Sequence, residues 1–187
     1  MVTGGGGSIG SELCRQICGL NPEHLLILDR SEFNLYRILQ ELDSYRDKIR
    51  LTGLLADIGD KEKIDQIFKL HKPQLIFHAA AYKHVPILEN ECREAVRNNI
   101  FGTINTANAA EKYFADKFIL ISTDKAVNPV NVLGSTKRLA EMFCESRNRK
   151  GNTRFITVRF GNVLGSDGSV VPLFQQQIRN GGPVTVT

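Results

Sequence analysis

The run of glycines at the head of the chain constrains the fold more than any other feature. Gly4-Gly5-Gly6-Gly7-Ser8-Ile9-Gly10 follows an apolar strand stub, Met1–Thr3, and opens a helical pattern from Ser8 to Cys18 that Gly19 closes. The spacing is G-x-x-G-x-x-G, on Gly4, Gly7 and Gly10. Glycine tolerates positive φ and lets backbone approach a diphosphate at a helix N-terminus. Such a motif is weak alone and gains weight between a strand and a helix, as here.

The rest of the chain repeats that alternation. Strand patterns fall at His24–Asp29, Ile49–Leu55, Leu75–His78, Lys117–Ser122 and Arg154–Phe160, with a strand start at Val184–Val186. Helical patterns fall between them at Glu32–Tyr45, Lys61–His71, Glu91–Tyr113, Val132–Arg149 and Val171–Asn180. Asn131 is the N-cap expected for the Val132 helix. Strands spaced by helices of this length predict a parallel sheet with right-handed crossovers. The strands are apolar almost throughout, so burial on both faces is expected. The fold class is therefore α/β, a doubly wound parallel sheet of Rossmann type.

Composition narrows the class of function. At 42% hydrophobic and 24% charged, the 187 residues suit a globular domain. No apolar run approaches the ~20 residues of a membrane span, so no membrane contact is expected of this segment. The net charge of +4 is dispersed, and its longest basic cluster, Arg147-Asn148-Arg149-Lys150, reads as a helix end. No basic stripe with aromatics suggests nucleic acid. Cys14, Cys18, Cys92 and Cys144 form no CxxC, and His78 and His84 lack a third ligand, so reduced thiols and no metal site are expected. Both ends read as cut: three residues precede the loop where a central strand needs ~5, and the C-terminus stops in a strand-like run. The expectation is a fragment, with residues 1–160 binding dinucleotide and 161–187 beginning a smaller substrate-binding part.

Cofactor candidates follow from the fold. Gly4, Gly7, Ser8, Ile9 and Gly10 form the phosphate turn. Asp29 ends the second strand, where a carboxylate accepts from the ribose hydroxyls of NAD. Arg30 beside it could instead pair with the 2′-phosphate of NADP, so NAD is favoured and NADP is the alternative. Asp57 and Ile58, after the third strand, stand where adenine is contacted, although Asp57 could simply cap a helix.

Three motifs together, the glycine turn, His78-Ala79-Ala80-Ala81-Tyr82-Lys83-His84-Val85-Pro86 and Ser122-Thr123-Asp124-Lys125-Ala126, resemble the extended short-chain dehydrogenase/reductases. More narrowly they resemble the bacterial UDP-N-acetylglucosamine 4,6-dehydratases of the CapD-like polysaccharide-biosynthesis family. The resemblance spans nearly the whole chain. It implies cytoplasmic UDP-sugar chemistry, self-association, and membrane helices elsewhere in larger members. It also implies that Ala79 and Ala80 line the cofactor and that Lys137 bonds the nicotinamide ribose.

The reaction it implies passes a hydride from sugar C4 to NAD, removes the C5 proton, expels the C6 hydroxyl as water and returns the hydride to C6. The usual Tyr-x-x-x-Lys is broken here: Leu133 stands four residues before Lys137. Asp124 and Lys125 supply an acid and a base side by side, in either assignment. Asp124 as acid must hold a proton near pH 7, far above its ordinary ~3.9, and a neutral Lys125 must fall by as much. Both need a desolvated site, and an ion pair between them would oppose both shifts. Thr123 is placed to bond the sugar 4-hydroxyl. Asn99 matches the superfamily's active-site helix asparagine, in a catalytic or a structural role. Lys83 and His84 could reach the diphosphate or the sugar. Arg159, Asn162 and Ser169 lie in segments resembling the UDP-binding part, with a structural cation as the other reading of Arg159. A UDP-sugar epimerase and a non-catalytic NAD-binding module are the competing functions.

Overall fold

The computed structural model describes residues 1–148, 151–161, 163 and 170–184. Among them six parallel strands form one sheet: β1 (Val2–Thr3), β2 (His24–Asp29), β3 (Arg50–Leu55), β4 (Leu75–His78), β5 (Lys117–Thr123) and β6 (Arg154–Phe160). Their order is β3-β2-β1-β4-β5-β6. The order reverses between β1 and β4, and the crevice outside the strand ends at such a point is where doubly wound sheets take ligands.

Strand periodicity divides the core between two faces. In β2, Leu25 and Ile27 pack with Cys14 and Cys18 of α1 (Ser8–Gly19) and Leu35 and Ile38 of α2 (Glu32–Glu41). Leu26 and Leu28 face the opposite layer. They join Ile64 and Phe68 of α3 (Lys61–His71), with Phe118 on β5. Fully burying a side chain such as Phe68 or Phe118 contributes about 1.5–3 kcal/mol. Ala107 and Ala110 of α6 (Thr103–Lys112) and Ala140 and Cys144 of α7 (Val132–Arg147) complete that layer. Their small side chains let both helices lie close to the sheet. Burial on both faces holds for β2 and most of β5. It fails for β3 and β6, which are edge strands with exposed residues such as Leu55 and Val158.

Helix starts follow capping chemistry. The side chains of Ser31, Asp60 and Asn131 accept from Asn34, Lys63 and Gly134 backbone N–H groups, as N-caps do. Three boundaries differ from expectation. At the end of α1 the left-handed residue is Asn21, φ 49°, and Gly19 stays inside the helix. The Glu32–Tyr45 pattern ends as a helix at Glu41 and continues as a short 3-10 turn, Asp43–Tyr45. The expected Glu91–Tyr113 helix is three pieces: α5 (Cys92–Ala95), a π-helical segment (Val96–Gly102) and α6, preceded by α4 (Val85–Asn90). Pro86 sits in the first turn of α4, where its missing N–H costs no helical bond. The last described helix is α8 (Val170–Arg179). Arg149, Lys150, Asn162, the 164–169 stretch with Ser169, and 185–187 of the expected last strand lie outside the described residues.

Candidate functional site

The site begins at the C-terminal end of β1. Gly4 has φ +65°, and a Cβ there would sit 2.8 Å from the backbone of Ala80. A Cβ on Gly10 would meet the Gly4 carbonyl oxygen at 1.9 Å. Only glycine at these two positions lets the turn close against both the β4 loop and α1. Gly7 N–H donates to Gly4 O at 3.1 Å, and Gly5 N–H donates to Leu28 O at 3.0 Å. The first turn of α1, Ser8–Gly10, brings helix N-terminal N–H groups to the same place. The cradle therefore fits the diphosphate of a dinucleotide.

Asp29 closes the turn from β2. One carboxylate oxygen accepts from Gly6 N–H at 2.9 Å and the other from Ser31 N–H at 2.8 Å. The carboxylate is aimed, buried, and bordered by a hollow that Gly4, Gly7, Ile58, Ala79, Ala80 and Tyr82 also line. Asp57 does not line it. Asp57 accepts from Gly59 N–H at 2.7 Å and borders a second, open hollow with Arg30, Ser31, Leu55 and Ala56. Arg30 leans across the first hollow. It donates to the Tyr82 hydroxyl, with its guanidinium carbon 4.4 Å from the ring centroid.

The π-helical segment explains why two adjacent asparagines both face inward. Its extra residue per turn brings Asn98 and Asn99 to the same buried side. Asn98 lines the first hollow. Asn99 accepts from Tyr82 N–H at 2.9 Å and donates to Tyr82 O at 3.3 Å and Thr136 Oγ1 at 3.2 Å. Of its two readings, these bonds support the structural one, a clip between the β4 loop and α7.

Beneath it lies a fully buried chain. Thr103 Oγ1 spends its hydrogen on Asn99 O at 2.7 Å, so it accepts from His78 Nε2 at 3.1 Å. His78 Nδ1 then accepts from Thr3 Oγ1 at 2.8 Å. Burial, aided by nearby Lys137, pushes the imidazole down to about 3, so it is neutral. Lys137, also buried, donates from Nζ to Ile121 O at 2.8 Å. Burial pushes its ammonium down to about 8, against the pull of Glu141 and Cys144.

At the end of β5, Thr123 Oγ1 donates to Asp124 Oδ1 at 2.9 Å and Lys125 Nζ donates to the same oxygen at 3.3 Å. The expected desolvation is not found: the Lys125 and Asp124 side chains are 36% and 56% exposed and form the ion pair that opposes both required shifts. The Thr123 hydroxyl and then the Lys125 ammonium hold the Asp124 carboxyl below the usual carboxylate range. Two unanticipated glycines make the space. A Cβ on Gly134 would sit 2.3 Å from Lys125 O, and one on Gly161 would sit 3.1 Å from Asp124 Oδ2. Leu133 is 5% exposed and packs with Leu88 and Ala95.

Arg159 is committed elsewhere. Its Nε donates to Glu141 Oε1 at 2.8 Å and its Nη2 to Oε2 at 2.5 Å, while Ser122 and Arg138 also donate to that buried carboxylate. This is the structural-cation alternative. Glu141 lies four residues after Lys137 on α7, a spacing that could have drawn attention to it. Lys83 and His84 are exposed at the entry to α4, where His84 is the N-cap residue without a side-chain cap bond. Among the described residues, no group of three or more metal-ligating side chains occurs. No helix there is long and apolar enough to cross a membrane.

Glycine cradle, aimed carboxylate and switch-point crevice lie together in a domain of the doubly wound, Rossmann-like class. The chain belongs to the family of polysaccharide biosynthesis proteins, whose model matches residues 1–187. It is 51% identical to the capsular polysaccharide biosynthesis protein CapD of Staphylococcus aureus, over all of this chain and 32% of CapD. It is 36% identical to the UDP-N-acetylglucosamine 4,6-dehydratase (inverting) of Campylobacter jejuni, over all of this chain and 56% of that protein. A UDP-glucose 4-epimerase of Rickettsia rickettsii is 34% identical over all of this chain and 55% of its own length. The chain thus spans from about a third to just over half of these relatives. Among solved structures, Pen from Bacillus thuringiensis superposes with TM-score 0.92 at 34% identity, over all of this chain and 58% of Pen. DesIV of Streptomyces venezuelae, a dTDP-glucose 4,6-dehydratase, shares the fold at TM-score 0.84 and 21% identity, over 98% of this chain and 62% of DesIV.

Proposed function

We propose that the chain is the cofactor- and sugar-handling core of a nucleotide-sugar 4,6-dehydratase acting on UDP-N-acetylglucosamine, with NAD as resident cofactor. In this reading residues 1–160 hold the dinucleotide and 161–187 begin the sugar-nucleotide side. The observation that carries it is the pairing of Leu133 with Asp124 and Lys125. Where a catalytic tyrosine would stand there is a buried leucine, and the acid–base groups within reach of one another lie at the end of β5 instead.

The dinucleotide would supply a hydride acceptor for sugar C4 and a donor for C6. The chain's own residues do the rest. Gly4 to Gly10 hold the diphosphate, Asp29 receives the adenosine ribose, and Lys137 holds the nicotinamide ribose from its anchor on Ile121 O. Thr123 turns its hydroxyl from Asp124 toward the sugar 4-hydroxyl. One of Asp124 and Lys125 takes the C5 proton, and the other protonates the C6 hydroxyl as it leaves as water. A sugar seated over the exposed pair excludes solvent from it. That burial raises the Asp124 carboxyl, the direction an acid in the elimination needs.

The relatives include epimerases, so the test must separate products. The full-length protein should convert UDP-N-acetylglucosamine to a 4-keto-6-deoxy sugar, read by mass loss of one water and by NMR. A C4 epimer of unchanged mass would establish the epimerase instead, and no turnover with retained NAD binding would mark a non-catalytic module.

A further inference from the structure

We infer that Tyr82 sets the cofactor preference by holding Arg30 away from the ribose 2′ position; this rests on the dinucleotide reading above. Two hollows meet at the end of β2. Arg30 borders both, and Tyr82 borders only the inner one. Among the described residues, Arg30 is the one cation lining either, while Asp29 borders the inner hollow and Asp57 the outer. A 2′-phosphate would meet two carboxylates there, and only the Arg30 guanidinium could offset them.

That guanidinium is engaged. Its Nη1 donates to the Tyr82 hydroxyl, and its carbon lies 4.4 Å from the ring centroid. The anchor is itself fixed. Tyr82 N–H and O are both bonded to the Asn99 side chain, and the ring packs against the cluster of Leu88, Ala95 and Leu133. Arg30 is thereby tied to the β4 loop. Asp29 is left as the dominant charge facing the ribose, which favours unphosphorylated hydroxyls and repels a phosphate.

The test is the ratio of NADP to NAD affinity, from titration of the full-length protein. Replacing Tyr82 by Leu removes both the hydroxyl and the ring face, and should raise the ratio about tenfold. Tyr82→Phe keeps the stack and loses the hydroxyl, and should raise it about threefold. Arg30→Ala alone should leave the ratio within about twofold, and Arg30→Ala combined with Tyr82→Leu should cancel the gain. Circular dichroism checks folding; if Tyr82→Leu does not fold, the Tyr82→Phe pair of measurements decides. An unchanged ratio in the tyrosine variants that fold, or a gain that survives loss of Arg30, would overturn the inference. The NAD reading is judged separately, from the wild-type ratio alone.

Discussion

The glycine cradle and the Asp124–Lys125 pair sit on the same sheet and are built in opposite ways. The cradle is finished: Gly4, Gly10 and Asp29 are locked by backbone contacts, and the His78 chain beneath them has every polar atom paired. The Asp124–Lys125 pair is open, half in solvent, and joined as an ion pair. The difference teaches where preorganisation resides. On the proposed reading, the dinucleotide cradle is set by backbone shape before any ligand arrives, whereas the chemistry depends on the sugar to alter its surroundings.

Five perturbations can break or sharpen that contrast. The largest effect belongs to Gly10→Ala. With 1.9 Å to the Gly4 carbonyl the turn must open, so NAD affinity should fall by up to about a hundredfold, read by titration. Leu133→Ala should come next, lowering stability by about 2–3 kcal/mol in urea unfolding. Turnover per folded molecule should change little, because the leucine has no proton to exchange.

The third is acid sensitivity from His78. Its folded value, about 3, lies below the unfolded ~6.5, so the unfolded state binds more protons as pH falls below 6.5. Stability should drop by about 1.4 kcal/mol per pH unit between pH 6 and 4 from this group alone. Subtracting the slope of His78→Gln isolates it. Lys137 gives the mirror test: with a folded value of about 8 against ~10.4 unfolded, stability should rise as pH climbs from 8 to 10, and Lys137→Met should lack that gain. The smallest effect is Gly19→Ala. Its Cβ would meet nothing within 4 Å, so about half a kcal/mol of stabilisation is expected, in contrast to Gly10 on the same helix.

What the sequence disclosed divides along similar lines. Strand and helix alternation, the N-cap Asn131 and the glycine turn are local signals, and the structure carries most of them within a residue or two, the Glu32–Tyr45 helix stopping four residues early at Glu41. The π-helical segment left no trace, because a five-residue hydrogen-bond step has no apolar period distinct from its flanking helices. The α4 helix starts on the last two residues of a motif read for its chemistry, Val85 and Pro86, and runs on to Asn90. Pairings across the sheet were invisible for a different reason. Arg30 meets Tyr82 at a separation of 52 residues and Arg159 meets Glu141 at 18. Only the completed fold brings such groups together. The Asp124–Lys125 ion pair was foreseen as an obstacle to the chemistry, and it is the arrangement present.

The central claim is that Asp124 and Lys125 perform elimination while the cradle binds cofactor independently. The direct measurement takes Asp124→Asn and Lys125→Met in the full-length protein and follows 4-keto-6-deoxy product formation and NAD affinity side by side. Either variant should lose about 10²–10⁴ in turnover, the scale of removing one acid or base, with NAD affinity within about threefold of wild type. Near-normal turnover in both variants would contradict the account.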